Sequence, residues 1–309
     1  MKQNVILLMG PTASGKTDIA ISLFKKIPSD IISVDSAMVY RGMNIGTAKP
    51  NSSCLQDVPH HLIDIRDPEN TYSAGEFIRD ALIGINNSFD KGKIPILVGG
   101  TMMYFRALTQ GMAKLPPKNE TIRKNIEIES VIRGWPALHS ELKLHDPCSA
   151  LRINPNDSQR IQRALEVFRS SGKSISDWHK DSTYDISNIN FIKIGLVVEP
   201  RALLHKLIET RLDDMISKGF EKEVVSLRRR PLLKRASPSM RSVGYRQFWA
   251  YLDGDYSWQE ARDRSLFATR QLAKRQLTWL RSEKDLFFVD PLEASIIDTI
   301  LNYTKNNSV

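Results

Sequence analysis

The 309-residue sequence is 41% hydrophobic and 26% charged, with a formal net charge of +9 from 44 Lys+Arg against 35 Asp+Glu. That is enough apolar material for one large or two modest domains with a real core, and the basic excess points towards a polyanion such as nucleic acid. Two distant cysteines, Cys54 and Cys148, exclude a disulfide framework, and no stretch approaches bilayer length.

Lys2 precedes an apolar run that ends at once in a glycine loop, unlike a signal peptide, so a cytoplasmic location is expected. That run, Val5-Ile6-Leu7-Leu8-Met9, leads into Gly10-Pro11-Thr12-Ala13-Ser14-Gly15-Lys16-Thr17 and a helical pattern through Ile19, Ala20 and Leu23. Strand, loop and helix in this order form a phosphate cradle. Backbone N–H groups turn inward, Lys16 adds a point charge, and Thr17 offers a hydroxyl to a metal at the helix N-terminus. Asp30 to Asp35 is a β-branched run ending in an acid, which puts Asp35 at the carboxyl end of a buried parallel strand. Arg41 to Pro59 reads as loop, followed by a third apolar run at Leu62-Ile63-Asp64-Ile65. Ser73 caps a helix carrying Phe77, Ala81, Leu82 and Ile85, which stops near Gly92 before a strand from Ile94 to Val98. The alternation predicts an α/β fold, a P-loop parallel sheet core with helices on both faces. Ligands bind beyond the carboxyl ends of such strands, where the phosphate loop, Asp35 and Gly99-Gly100-Thr101 all lie.

From about Lys114 to Asp185 strand signals vanish and polar, basic helix signals follow one another. This predicts an all-helical insertion at 114–185, interrupting a core made of 1–113 and 186–309. Its clearest helix starts at the capping sequence Asn154-Pro155-Asn156-Asp157 and runs through Ile161, Leu165 and Val167-Phe168 to Gly172, with Arg160 and Arg163 flanking Ile161. The sheet resumes at Ile192 to Val198, and Pro200 begins a long helix to Gly219. A second helix from Ser239 to Asp253 holds Arg241-Ser242-Val243-Gly244-Tyr245-Arg246, and a third spans about Ser257 to Ser282. On the third, Leu266, Ala273, Leu277 and Leu280 form an apolar stripe, while Arg264, Gln271, Lys274, Thr278 and Arg281 form a polar one facing outward or into a cleft. Leu286 to Val289 reads as a last strand before a final helix, with a frayed tail from Asn302 to Val309.

Asp35 could be a metal ligand, a general base or a strand-end cap. The base role is favoured because Ile94 to Gly100 carries no acid to complete the usual nucleotide-hydrolysing metal site. Thr101 could bond a substrate or cap the following helix. Arg211, Arg241 and Arg246 could reach a diphosphate or nucleic-acid phosphates, or form a solvated face, and the same choice holds for Arg123, Arg160 and Arg163. Trp178, Tyr245 and Trp249 could stack bases, although helix-borne aromatics are more often core. His60 and His61 have no ligand partners at suggestive spacing. A small-molecule kinase with the insertion as lid and a noncatalytic RNA-binding protein remain open on these residues alone.

Longer motifs narrow the choice. Asp35 to Met43 reads Asp-Ser-Ala-Met-Val-Tyr-Arg-Gly-Met, Gly46 to Pro50 reads Gly-Thr-Ala-Lys-Pro, and Val98-Gly99-Gly100-Thr101 follows. Asn156 to Glu166, Arg241 to Gln247 and Ala268 to Gln276 continue the pattern. With the phosphate loop at 10–17, these resemble the bacterial tRNA dimethylallyltransferase family over nearly the whole chain. Asn44 departs from an aspartate common there, and the insertion is less similar before Asp146. The resemblance implies a monomeric enzyme that moves a dimethylallyl group from dimethylallyl diphosphate to the N6 amine of the adenine 3′ of a tRNA anticodon, with Mg²⁺. Gly10, Pro11, Thr12, Ala13, Ser14, Gly15, Lys16 and Thr17 would hold the diphosphate or a nucleotide, Thr17 the metal, and Lys16 and Arg211 the departing charge. Asp35 would be the base. Asp35, Ser36, Ala37, Met38 and Thr101 would grip the flipped adenine. Arg123, Gln159, Arg160, Ile161, Gln162 and Arg163 would contact the anticodon stem-loop, and Arg241, Ser242, Val243, Gly244, Tyr245 and Arg246 would reach the RNA from the core.

Overall fold

The computed structural model describes residues 2–111, 113, 115–181 and 184–308. Lys114 and Val309, two boundaries of the sequence expectations, lie outside the described residues. The chain divides into two compact units, Met1–Thr109 with Ser187–Val309, and Gln110–Ile186.

In the first unit, β1 (Gln3–Met9) is followed by α1 (Lys16–Lys26), β2 (Ser29–Val34), α2 (Ser52–Asp57), β3 (His60–His61), α3 (Ala74–Asp90), β4 (Ile94–Gly99) and α4 (Met102–Gln110). The second unit holds α5 (Glu120–Arg133), α6 (Trp135–His145), α7 (Pro147–Arg152), α8 (Ser158–Ser171) and α9 (Ile175–Asp181). The chain then returns to the first unit with β5 (Ile189–Leu196), α10 (Arg201–Ser217), α11 (Phe220–Arg228), a 3₁₀ turn at Pro238–Arg241, α12 (Tyr245–Leu252), α13 (Trp258–Ser282), β6 (Leu286–Val289) and α14 (Ile296–Asn306).

The six strands form one parallel sheet in the order β3-β2-β4-β1-β5-β6. Because β1 lies between β4 and β5 and the chain crosses to either side of it, the carboxyl edge of β1 is where an open sheet leaves a crevice. Both faces of the sheet are covered. Ile31 packs with Ile19 and Leu23 of α1 and Ile300 of α14, while its neighbour Ile32 meets α3, where a Cβ on Gly84 would stand 3.1 Å from the Ile32 side chain. This two-residue alternation explains why β2 is buried throughout and why its sequence is a continuous run with no polar face. Ser73 caps α3 in a full capping box with Glu76.

Several boundaries differ from the sequence expectation. Within the stretch read as loop, Asn51 accepts the Cys54 N–H and starts α2. The apolar run at 62–65 is not a strand: β3 precedes it, and Leu62 and Asp64 take left-handed backbone at φ 65° and 55°. β5 starts at Ile189 rather than Ile192. The helix expected from Ser239 is broken at Gly244, whose φ of 87° separates the 3₁₀ turn from α12. The tail from Asn302 to Asn306 is helical, held by buried Ile300 and Thr304. The helical unit has its own core of Ile126, Leu138, Leu142, Ile161, Ala164 and Leu165.

Candidate active site

The phosphate cradle is the junction of β1 and α1. Ala13 and Gly15 take left-handed backbone, φ 63° and 74°, which folds the loop so that successive N–H groups face one concavity. Ser14 Oγ donates to the Pro11 carbonyl at 2.8 Å, and the Lys16 ammonium donates to the same carbonyl and to Ser14 Oγ. Lys16 is partly exposed to the cavity, yet protein atoms crowd its ammonium. Desolvation first and the Arg211 guanidinium second push its pKa down to about 7, against the opposing pull of Asp35. Thr17 Oγ1 has no hydrogen-bond partner among the described residues.

Asp35 follows β2 directly. Its Oδ1 accepts the backbone N–H groups of Ala37 (2.8 Å) and Met38 (3.1 Å), so the turn pins one carboxylate oxygen and leaves Oδ2 unbonded. Thr101 stands at the start of α4 with its hydroxyl turned to Ser36 rather than to a helix N–H. Its carbonyl takes the Tyr104 N–H at the start of α4, while its Oγ1 accepts the Ser36 N–H at 3.1 Å and ties the end of β4 to that of β2. Arg211 projects from α10 into the same cavity. Burial lowers its pKa, and Asp35 and Asp18 act to raise it.

These groups line one cavity of about 790 Å³ within the first unit. Its walls also include Gly46-Thr47-Ala48, Gly99-Gly100, Arg241 to Gly244, and a face of α13 formed by Thr269, Leu272, Arg275, Gln276 and Trp279. That face is neither of the two stripes read from the sequence: Leu266, Ala273 and Leu280 pack inward, and Arg264, Lys274, Thr278 and Arg281 are exposed. A third helical face was hidden because it mixes polar and apolar residues.

Two further residues shape the cavity. Glu223 on α11 accepts three consecutive backbone N–H groups, from Asn44 (2.9 Å), Ile45 (2.7 Å) and Gly46 (3.1 Å), and the Tyr245 hydroxyl at 2.6 Å. Gly46 has no room for a side chain here, since a Cβ would come within 2.1 Å of Phe220. Gln276 on α13 bridges the phosphate loop and the Gly99-Gly100-Thr101 segment. The sequence offered no signal for Glu223; Gln276 sat inside a quoted motif without a role.

The side chains expected to contact RNA differ in exposure. Tyr245 is fully buried in a cluster with Phe220 and Phe248, and Trp249 is buried beside it, so neither presents a ring for stacking. Arg241 is exposed on the cavity wall, and Arg246 is exposed outside it. In the helical unit Ile161 is core and Gln162 is buried, bonded to Glu127 and the Arg123 carbonyl. Arg163 and Arg123 face inward instead. Arg163 bonds the fully buried Glu166 carboxylate at 2.8 Å and the Pro116 carbonyl at 2.7 Å, and Arg123 Nε stands 3.0 Å from the same carboxylate. A buried carboxylate demands such partners, and this need competes with RNA for both arginines. Gln159 and Arg160 are exposed, Arg160 carrying an ion pair to Asp157 at 2.6 Å. Trp178 donates to Ser171 Oγ at 3.2 Å and has Lys173 over its ring.

A phosphate loop, a strand-end carboxylate and no acid on β4 narrow the chemistry; the comparisons supply the lineage. The full-length tRNA isopentenylpyrophosphate transferase of Bacillus halodurans matches with a TM-score of 0.70 at 33% identity, covering 99% of this chain and 98% of that one. A protein named tRNA dimethylallyltransferase from Coxiella burnetii is 48% identical over 301 residues, 97% of both chains. A protein of the same name from Alkalilimnicola ehrlichii is 51% identical over 280 residues, 91% of this chain and 88% of its own. Residues 38–283 match the profile described as IPP transferase. Since that match takes in Met38, Thr101, Arg211 and Gln276 and the Coxiella relative extends the likeness through the phosphate loop, the chain belongs to the IPP transferase family.

Proposed function

We propose that the protein transfers a dimethylallyl group from dimethylallyl diphosphate to the N6 amine of the adenine next to the 3′ side of a tRNA anticodon. The observation that carries this reading is the meeting of Lys16, Arg211 and a pinned Asp35 carboxylate in one cavity at the carboxyl edge of the sheet. The names of the relatives agree with it. The phosphate loop then holds a leaving diphosphate.

In the reaction the allylic C–O bond breaks with its electron pair going to diphosphate, the N6–C bond forms, and the N6 proton passes to Asp35. An adenine amine is a poor nucleophile because its lone pair is delocalised into the ring, but its protons become acidic as the bond to carbon forms. A carboxylate held in place therefore suffices as the base. Lys16 and Arg211 stabilise the negative charge that grows on the departing oxygen. Thr101 and Ser36, tied together at the cavity wall, stand beside Asp35 to receive the flipped adenine.

Mg²⁺ suits the donor set as a hard cation needing oxygen ligands: the unbonded Thr17 hydroxyl would hold it together with oxygens of the diphosphate. When bound it supplies additional positive charge to the leaving group. Among the described residues no cluster of three His, Cys, Asp or Glu side chains could hold a metal by itself. Among the described residues no helix is long and apolar enough to cross a membrane. We place the protein's work in the cytoplasm as a monomer, with the exposed Gln159 and Arg160 of the helical unit meeting the anticodon stem-loop.

The test incubates the protein and Mg²⁺ with unmodified tRNA and either labelled dimethylallyl diphosphate or γ-labelled ATP. Allyl label entering tRNA at the adenine is the expected result. Phosphate transfer from ATP to a small acceptor, with no allyl transfer, would overturn it.

A further inference from the structure

Gln276 lies on α13, 8% exposed, with both ends of its amide in use. Its Oε1 accepts the backbone N–H of Thr12 at 2.9 Å, and its Nε2 donates to the Gly100 carbonyl at 2.8 Å. The first partner belongs to the phosphate loop, the second to the segment that ends in Thr101. One side chain therefore spans the donor side and the acceptor side of the cavity.

Two consequences follow from this placement. One N–H of the phosphate loop is committed to a side chain and is not free for the diphosphate, so Gln276 helps set the loop's shape rather than adding a ligand contact. The bridge also leaves no space at Gly100, where a Cβ would stand 2.4 Å from Gln276 Nε2 and is excluded while the amide keeps its place. Gly100 has no positive φ, so backbone conformation does not require glycine there; the close approach of Gln276 does.

We propose that Gln276 is a positioning residue that fixes the distance between the diphosphate cradle and the adenine-gripping segment at Thr101. The proposal rests on the transferase reading above. Displacement at carbon needs nitrogen, carbon and leaving oxygen held in line, and small errors in such alignment are costly in rate. An amide suits the task because it offers one donor and one acceptor to two backbone segments of opposite need. Neither a carboxylate nor an apolar side chain of the same length serves both.

The experiment compares the full-length enzyme with Gln276→Met, which keeps length and removes both hydrogen bonds, with Gly100→Ala, which pushes on the same bridge from the opposite side, and with the double variant. The expected result is a kcat for allyl transfer lowered about 10- to 100-fold in each single variant. KM for dimethylallyl diphosphate rises several-fold, and the Kd for tRNA stays within about twofold. The double variant falls little further than either single one, because both break the same connection. Wild-type kinetics in Gln276→Met would overturn the proposal, as would independent, multiplying losses in the double variant. A loss of activity tracking only a fall in the folded fraction, with normal kcat per folded molecule, would also overturn it and leave Gln276 a stabilising residue. The wild-type control separates the two levels: absence of allyl transfer there defeats the functional reading, whereas transfer by wild type with an indifferent Gln276 defeats only this inference.

Discussion

In the proposed transfer the chemistry turns on Lys16 and Asp35, and their surroundings make opposite demands. An ammonium with a pKa near 7 is largely neutral at pH 8 in the empty cavity, while a bound diphosphate favours its charged form. Binding of inorganic diphosphate at pH 8 is thus expected to take up about one proton, and affinity should fall as pH rises above about 7, by up to roughly tenfold per unit. Calorimetry in two buffers of different ionisation enthalpy measures this directly. Because diphosphate also titrates in this range, the readout is the difference between variants: Lys16→Met should take up about one proton fewer than the wild type, and equal exchange in the two would show that Lys16 is already charged. For Asp35 the expectation is separation of binding from chemistry. Asp35→Asn keeps an oxygen that can accept the Ala37 and Met38 N–H groups but removes the base, so single-turnover transfer should fall at least about a hundredfold while tRNA binding survives. Full single-turnover activity would remove Asp35 from that role.

At the scale of elements, the cavity wall at residues 44–48 has no regular structure of its own and is held by a carboxylate from a neighbouring helix. Glu223 satisfies three adjacent N–H groups that would otherwise need water, and it receives the Tyr245 hydroxyl as well. Hydrogen bonds to a charged acceptor are worth more than neutral ones. Glu223→Gln retains the size but loses the charge and half the acceptor capacity, so it should lower stability by about 1–3 kcal/mol. The unfolding midpoint should move down by several degrees. Tyr245→Phe should cost less, since only one bond is lost. If Glu223→Gln melts like wild type, the turn is held by its own packing, chiefly Gly46 against Phe220 and Tyr245.

For the whole molecule, the chain forms two compact units, and the arginines of the helical unit differ in what they bind. Arg160 is 74% exposed at its side chain, whereas Arg163 is drawn in by the buried Glu166. Burial works to raise the Glu166 pKa, but hydrogen bonds from Arg163 and the Asn119 N–H and the nearby Arg123 charge outweigh it and hold the group below its ordinary value. Arg160→Ala should therefore weaken tRNA binding and reduce the salt slope of log Kd by about one. Arg163→Ala should act mainly through folding, lowering stability by about 1–3 kcal/mol because Glu166 loses a donor. A salt series and a thermal melt on each variant check both. The reverse pattern, a stable Arg163→Ala with the larger binding loss, would put Arg163 on the RNA surface instead.

Much of this was legible in the chain itself. Strand, glycine loop and helix at residues 5–26 are local in sequence, so periodicity and turn chemistry reveal the cradle, and the same holds for Ser73 and Asp157 as helix caps. Asp35 could be placed at a strand end because a buried parallel strand is apolar throughout and an acid closes it. Tertiary structure alone decided which face of α13 meets the cavity, that Tyr245 and Ile161 are core, and that Arg163 serves a buried acid. It also decided that Glu223 and Gln276 hold backbone groups 177 and 264 residues away. Those outcomes depend on which unpaired N–H or carbonyl lies opposite a side chain after folding, a quantity with no period and no local signature.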